Sequence, residues 1–222
     1  MADKGQILRI GMRDGALLDV YCVAASGNRR GGVVLMQEIF GLTQHIREQC
    51  DWFASEGYDV WAPAIFDREA PRLQLTYSSQ DVATAIALVS KHKIEQAVDD
   101  ASICVEALAE KGPVFITGYC YGGSVSWAAA CRIPGLSGAS CYYGSRIPDL
   151  AHEIPKCPVA LHFGEFDREI PLERVHLIQD QHPDVEMWTY PAGHGFNSDR
   201  RDDFHAPSAK LARKRTLELF SA

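Results

Sequence analysis

The stretch Gly118-Tyr119-Cys120-Tyr121-Gly122-Gly123 constrains this chain more than any other. An apolar, partly β-branched run precedes it, Pro113-Val114-Phe115-Ile116-Thr117. A run of mostly small residues follows, Ser124-Val125-Ser126-Trp127-Ala128-Ala129-Ala130. The segment therefore reads as strand, sharp turn, helix. It has the pattern of the G-x-S-x-G nucleophile elbow, with cysteine in the serine place. A residue at the tip of such a turn takes a strained, positive-φ conformation. Side chains at 118 and 122 would collide with the strand and helix that cross there. The turn presents the sulfur at a helix N-terminus, where N–H groups and the helix dipole favour negative charge on a nucleophile or a developing oxyanion. A cysteine by itself is more often a small core hydrophobe. The turn is what makes Cys120 a candidate nucleophile.

The length, 222 residues, suits one domain or two small ones, and a single domain over 1–222 is expected. The formal net charge of −7 argues against nucleic acid or an anionic membrane surface as partner, since both require basic patches. No apolar run approaches the roughly 20 residues that span a bilayer. The opening Met1-Ala2-Asp3-Lys4-Gly5-Gln6 is polar and lacks the apolar core of a signal peptide. The seven cysteines, Cys22, Cys50, Cys104, Cys120, Cys131, Cys141 and Cys157, are odd in number and widely spaced, with no C-x-x-C pair. A disulfide framework or zinc site is not expected, and a reducing cytoplasmic location is.

Residues 6–23 read as two strands around Arg13-Asp14-Gly15, a hairpin signal. Residues 33–37 form an apolar run suited to a strand covered on both faces. A loop from Glu38 to Leu42 follows, then Thr43 as N-cap of a helix to about Glu56, with Ile46, Cys50 and Phe53 at helical spacing. Gly57 ends that helix and 58–62 is a strand. Residues 63–76, rich in Pro, Arg and Asp, read as a long loop. Helices are expected over 78–90 and 94–111, the second with an apolar face of Ala97, Ala101, Cys104 and Leu108. After the elbow helix come a strand at 138–142, a loop at 148–155, a strand at 158–163, a helix at 171–180, a strand at 185–190 and a C-terminal helix at 206–220. The alternation predicts an α/β fold, with a mostly parallel central sheet, antiparallel N-terminal strands and helices on both faces. No internal repeat or linker is evident.

An elbow nucleophile needs a base, and the base needs an orienting acid. On the α/β-hydrolase fold they follow the nucleophile in the order acid, histidine. Asp167 lies just past a strand end in Gly164-Glu165-Phe166-Asp167, although a loop Asp before a helix is usually a turn or helix cap. His194 lies in Ala192-Gly193-His194-Gly195-Phe196 after the last strand, where two glycines permit close approach. His205 is its only rival, and it opens the C-terminal helix. Glu38 directly follows a strand; a carboxylate there is usually a solvated loop charge, the other reading being a site residue at a strand's C-terminal end. The backbone N–H groups of Ile39 and Tyr121 are candidates for an oxyanion hole.

With these residues in place the chain resembles the dienelactone hydrolases, or carboxymethylenebutenolidases, cysteine members of the α/β-hydrolase fold. The resemblance runs from about Val33 to the end. It rests on Gln37-Glu38-Ile39-Phe40-Gly41, Arg68-Glu69-Ala70-Pro71, the elbow, Gly164-Glu165-Phe166-Asp167 and Gly193-His194-Gly195-Phe196. It implies Cys120 as nucleophile, His194 as base and Asp167 as orienting acid, with Ile39 and Tyr121 as oxyanion-hole amides. Glu38 would be a fourth member, displaced when substrate arrives so that it takes the thiol proton. The implied reaction opens an enol lactone through an acyl-enzyme, dienelactone giving maleylacetate.

The family holds the substrate carboxylate with two arginines, and no arginine stands at either offset here. Arg72, Arg200 and Arg201 are nearby, and Tyr77 offers a hydroxyl. Tyr77, Arg72 and Arg200 are taken as candidate substrate-binding residues. A general carboxylesterase acting on activated esters is the alternative, and a non-catalytic binding protein on the same fold a further one. No cofactor or metal is implied, since Glu38, Asp167 and His194 match no ligand spacing. The expected partner is a small-molecule lactone or ester, with the protein a monomer or weak homo-oligomer.

Overall fold

The Asp14-Gly15 turn closes a hairpin. Met12 N–H donates to the Ala16 carbonyl at 2.8 Å, and Gly15 takes φ 86°. The structure is a computed structural model that describes residues 4–222. Met1, Ala2 and Asp3, the start of the polar opening, lie outside the described residues. The chain divides into two compact units, residues 1–115 and 116–222.

In the first unit β1 (Gln6–Gly11) pairs antiparallel with β2 (Leu17–Val23), and β2 antiparallel with β4 (Tyr58–Pro63). β4 then pairs parallel with β3 (Gly31–Met36), giving the order β1-β2-β4-β3. Every residue of β3 is buried, as its continuous apolar run requires. The first helix, α1 (Gln44–Ser55), starts at Thr43, whose hydroxyl accepts from Ile46 N–H at 3.4 Å. It buries Ile46, Cys50 and Phe53, and Gly57 ends the segment at φ 94°. Two more helices follow, α2 (Ser79–Val89) and α3 (Ile94–Ala109). The expected face of α3, Ala97, Ala101, Cys104 and Leu108, is buried, whereas α2 buries only Ala85.

Strand β5 (Val114–Tyr119) starts at the end of the first unit and runs into the second. There α4 (Tyr121–Arg132), β6 (Gly138–Tyr142), β7 (Val159–Gly164), α5 (Leu172–Gln181), β8 (Glu186–Tyr190) and α6 (Ala206–Leu219) follow. β6, β7 and β8 pair parallel in that order. All of α4 except Arg132 is buried, so it has no polar face, and its run of alanines fits that burial. The α/β class read from the alternation is what forms. One difference lies in the loop at 148–155, whose start is wound into a 3-10 turn, Ile147–Leu150. Pro148 sits in its first turn, where a fixed φ suits the winding and no N–H is missed.

Candidate active site

The elbow is strained, and its neighbours hold the strain. Cys120 has φ 55° and ψ −118°, a conformation that costs a non-glycine residue about 1–3 kcal/mol. Its N–H donates to the Tyr142 carbonyl at the end of β6 at 3.0 Å. Its own carbonyl accepts from Gly123 and Ser124 N–H at 2.9 and 3.2 Å, which starts α4. A Cβ on Gly123 would run into that same Tyr142 carbonyl. The sequence placed the steric demand at 118 and 122. The packing makes it explicit at 123, because β6 crosses directly over the first turn of α4. Cys120 ends up 6% exposed, at the helix N-terminus.

Asp167 follows β7, and its side chain is fully buried. Oδ1 accepts from the N–H groups of Glu169 at 2.8 Å and Ile170 at 3.0 Å. It is therefore the turn cap that a loop Asp usually is. Oδ2 meets His194 Nδ1 at 2.8 Å. One carboxylate fixes the turn and the imidazole together. His194, after β8, is buried against the Tyr143 ring, centroids 5.1 Å apart. Burial works against a charged imidazole. The nearby Cys120 sulfur and the Asp167 hydrogen bond outweigh it and hold the His194 pKa well above the usual histidine value. With Nδ1 committed to Asp167, the proton chemistry falls to Nε2. That atom is buried, with the Cys120 sulfur nearby and Glu169 Oε2 3.5 Å from it.

Two other histidines, His162 and His205, are occupied elsewhere. His162, inside β7, contacts the Tyr190 hydroxyl through Nδ1 at 2.9 Å and Ser140 Oγ through Nε2 at 3.1 Å. Burial pushes its pKa down to about 3, so it is a neutral core group. His205, at the N-cap position of α6, meets Ser208 Oγ through Nδ1 at 2.6 Å.

A cavity of about 380 Å³ opens on His194, lined by Phe166, Arg168, Glu169, His194, Arg201 and Asp203. Neither arginine singled out from the sequence lines it. Arg200 pairs with its neighbour Asp199. Arg72 is exposed at φ 58°, with its backbone N–H on Asp67. Arg201 reaches the cavity instead, because the chain folds back on itself after the histidine. Ser198 N–H donates to the Gly195 carbonyl at 2.9 Å and Arg201 N–H to the Ser198 carbonyl at 3.1 Å. These tight turns return the Arg201 side chain over Gly195. An offset counted along an extended chain misses that. Arg168 and Glu169, beside Asp167, also line the cavity and carry no sequence signal of their own. Tyr143, at φ 36° just past β6, carries no sequence signal beyond being an aromatic at a strand end.

In the first unit Glu38 is completely buried, which removes the reading as a solvated loop charge. Tyr77 Oη donates to Glu38 Oε2 at 2.8 Å, while Oε1 has no hydrogen-bond partner among the described residues. Tyr77 is delivered there by a stitched segment. Leu75 N–H donates to the Phe40 carbonyl at 2.9 Å, Gly41 and Gln74 form an isolated bridge, and the Phe40 and Tyr77 rings meet edge to face at 4.7 Å. The hydroxyl considered for a substrate carboxylate thus rests on Glu38. Ile39 is half-buried beside it, and Tyr121 is buried as the first residue of α4.

Residues 18–222 match the sequence model described as the dienelactone hydrolase family. A relative from Escherichia coli (strain K12), provisionally named a carboxymethylenebutenolidase, is 33% identical over 208 residues, covering 85% of this chain and 75% of its own. Carboxymethylenebutenolidase 1 of Cupriavidus pinatubonensis is 29% identical over 227 residues, covering 96% of this chain and 95% of its own. A crystal structure from Klebsiella pneumoniae, provisionally named a dienelactone hydrolase, superposes with a TM-score of 0.87 at 28% identity over 98% of both chains.

Proposed function

Because the chain belongs to the dienelactone hydrolase family and is a hydrolase of ester or lactone bonds, we propose that it opens enol lactones of the dienelactone type through a cysteine acyl-enzyme. Cys120 Sγ attacks the lactone carbonyl carbon. The tetrahedral oxyanion is met by the N–H groups of Tyr121 and Ile39. Collapse breaks the ring C–O bond and releases a resonance-stabilised enolate, which takes the proton held at His194 Nε2. Water then attacks the thioester and expels the sulfur; the freed Nε2 takes the water's proton, Glu38 returns to the sulfur the proton it accepted, and the acid is released, maleylacetate from dienelactone.

A thiolate is a weaker base than an alkoxide, so it expels an enolate readily and an alkoxide poorly. Glu38 is assigned the family's role as a fourth member that accepts the thiol proton. A buried carboxylate oxygen without a partner is what that role requires, and Tyr77 holds the other oxygen.

The observation that carries the reading is the state of His194. Nδ1 is bonded to a buried carboxylate, Nε2 is turned away from it, and the ring is biased toward its charged form by the Cys120 sulfur. The test is a kinetic panel of cis- and trans-dienelactone, p-nitrophenyl acetate and ethyl acetate on wild type, Cys120→Ala and Cys120→Ser. Cys120→Ala should lose on the order of 10⁴-fold or more in kcat, as when a nucleophile is removed from a triad. Serine should also lose heavily, since its hydroxyl is far less acidic. Full activity in Cys120→Ala would overturn the assignment. Ethyl acetate turned over as well as the lactones would favour a general carboxylesterase.

A further inference from the structure

His194 is flanked by carboxylates on both sides, and only one belongs to the set described so far. Asp167 meets Nδ1 from the interior, and Glu169 Oε2 stands 3.5 Å from Nε2 on the cavity side. The two are mechanically linked, because Glu169 N–H donates to Asp167 Oδ1 at 2.8 Å. The turn that fixes the orienting acid therefore also fixes where the Glu169 side chain starts. That side chain is 54% exposed, against 4% for His194, so it can swing away while the ring cannot.

We propose that Glu169 is a positioning residue for His194, a second carboxylate that holds the protonated ring at Nε2 from the cavity while no substrate is present. The proposal rests on the reading of His194 as the acid–base group. In the resting site the N–H at Nε2 has two neighbours that can accept from it, the Cys120 sulfur and the Glu169 carboxylate. An acyl group arriving at His194 displaces the exposed one. The remaining charged groups lining the cavity are Arg168, Arg201 and Asp203. With two cations and one further anion, they leave the cavity near neutral and put the selective interaction with the ring on Glu169.

The test compares wild type, Glu169→Gln and Glu169→Asp. The first readout is the titration of His194, followed by NMR of the ring in the resting protein, which needs no turnover. Glutamine removes the charge at constant size, so the ring should bind its proton about two- to fivefold more weakly, the range of a half-exposed ion pair. Aspartate is shorter by one methylene and should fall between. The wild-type value should drop with added salt and the glutamine value should not. The second readout is the alkaline limb of kcat/KM for p-nitrophenyl acetate, which should move to lower pH in Glu169→Gln by the same factor. An unmoved ring titration in a folded Glu169→Gln overturns the proposal, even if Cys120 proves to be the nucleophile. A moved titration with a fully active Cys120→Ala would instead sink the functional reading and leave the ring contact standing.

Discussion

Asp167→Asn separates the two jobs that one buried carboxylate performs. The carboxamide oxygen can keep the N–H groups of Glu169 and Ile170, now 2.8 and 3.0 Å from Oδ1. The amide nitrogen then faces His194 Nδ1 and must donate to it. The ring moves its proton to Nε2 and can no longer accept one there. In serine triads this tautomer error costs about 10⁴ in kcat. A thiol is more acidic than a hydroxyl and asks less of its base, so the expected fall in kcat/KM on p-nitrophenyl acetate is about 10²–10³. Stability should change little, by about 1–2 kcal/mol, for one charge-assisted hydrogen bond made neutral. Asp167→Ala strands two turn N–H groups as well as the ring and should cost about 3–5 kcal/mol in urea unfolding.

The pH dependence follows from the raised His194 pKa. Its folded value lies above the unfolded one, near 6.5. The bound proton therefore adds stability that is complete below about pH 6.5 and is lost as pH rises through the folded value. Asp167 is one of the groups that raise it, so the asparagine variant should titrate lower by NMR. The stability gap between wild type and variant should narrow toward alkaline pH. Wild-type kcat/KM in Asp167→Asn, or an unmoved ring titration, would refute the reasoning.

Iodoacetamide at neutral pH should alkylate one cysteine, Cys120, with loss of activity in proportion. Burial pushes the Cys22 and Cys131 pKa values up to about 12 and that of Cys157 to about 11, and holds Cys50, Cys104 and Cys141 well above the ordinary thiol range. Peptide mass mapping that finds a second cysteine labelled at a comparable rate would contradict this. Gly123→Ala should destabilise by about 3 kcal/mol, the upper end for overpacking, because the clash is with backbone that has nowhere to move. An unchanged urea midpoint would show that β6 does not clamp the elbow.

The fold was legible because each element carries its own local signal. The Asp14-Gly15 turn, the Thr43 cap, the apolar spacing of α3 and the strand–turn–helix composition around Cys120 depend on neighbours only a few residues apart. Asp167 was legible as a strand-end acid for the same reason. What the sequence could not separate was its two readings, turn cap and histidine partner. In the folded chain they do not compete, because a carboxylate has two oxygens and each takes one job.

The arginines were illegible for the opposite reason. An offset from His194 measures distance along the chain. The turns at Ser198 and Arg201 convert it into a return over Gly195. Such turns depend on which backbone N–H groups find carbonyls after Phe196 is buried, and that is settled by packing against Tyr143 and Tyr190. Glu169 is a sharper case. Nothing in its own neighbourhood marks it, and an exposed glutamate two residues past an acid is ordinarily solvated. It becomes significant only because Asp167 Oδ1 fixes its backbone while Asp167 Oδ2 fixes the ring it faces. The turn that Asp167 caps thus also positions the side chain two residues on. The identity of that residue is a direct lever on the His194 nitrogen it faces.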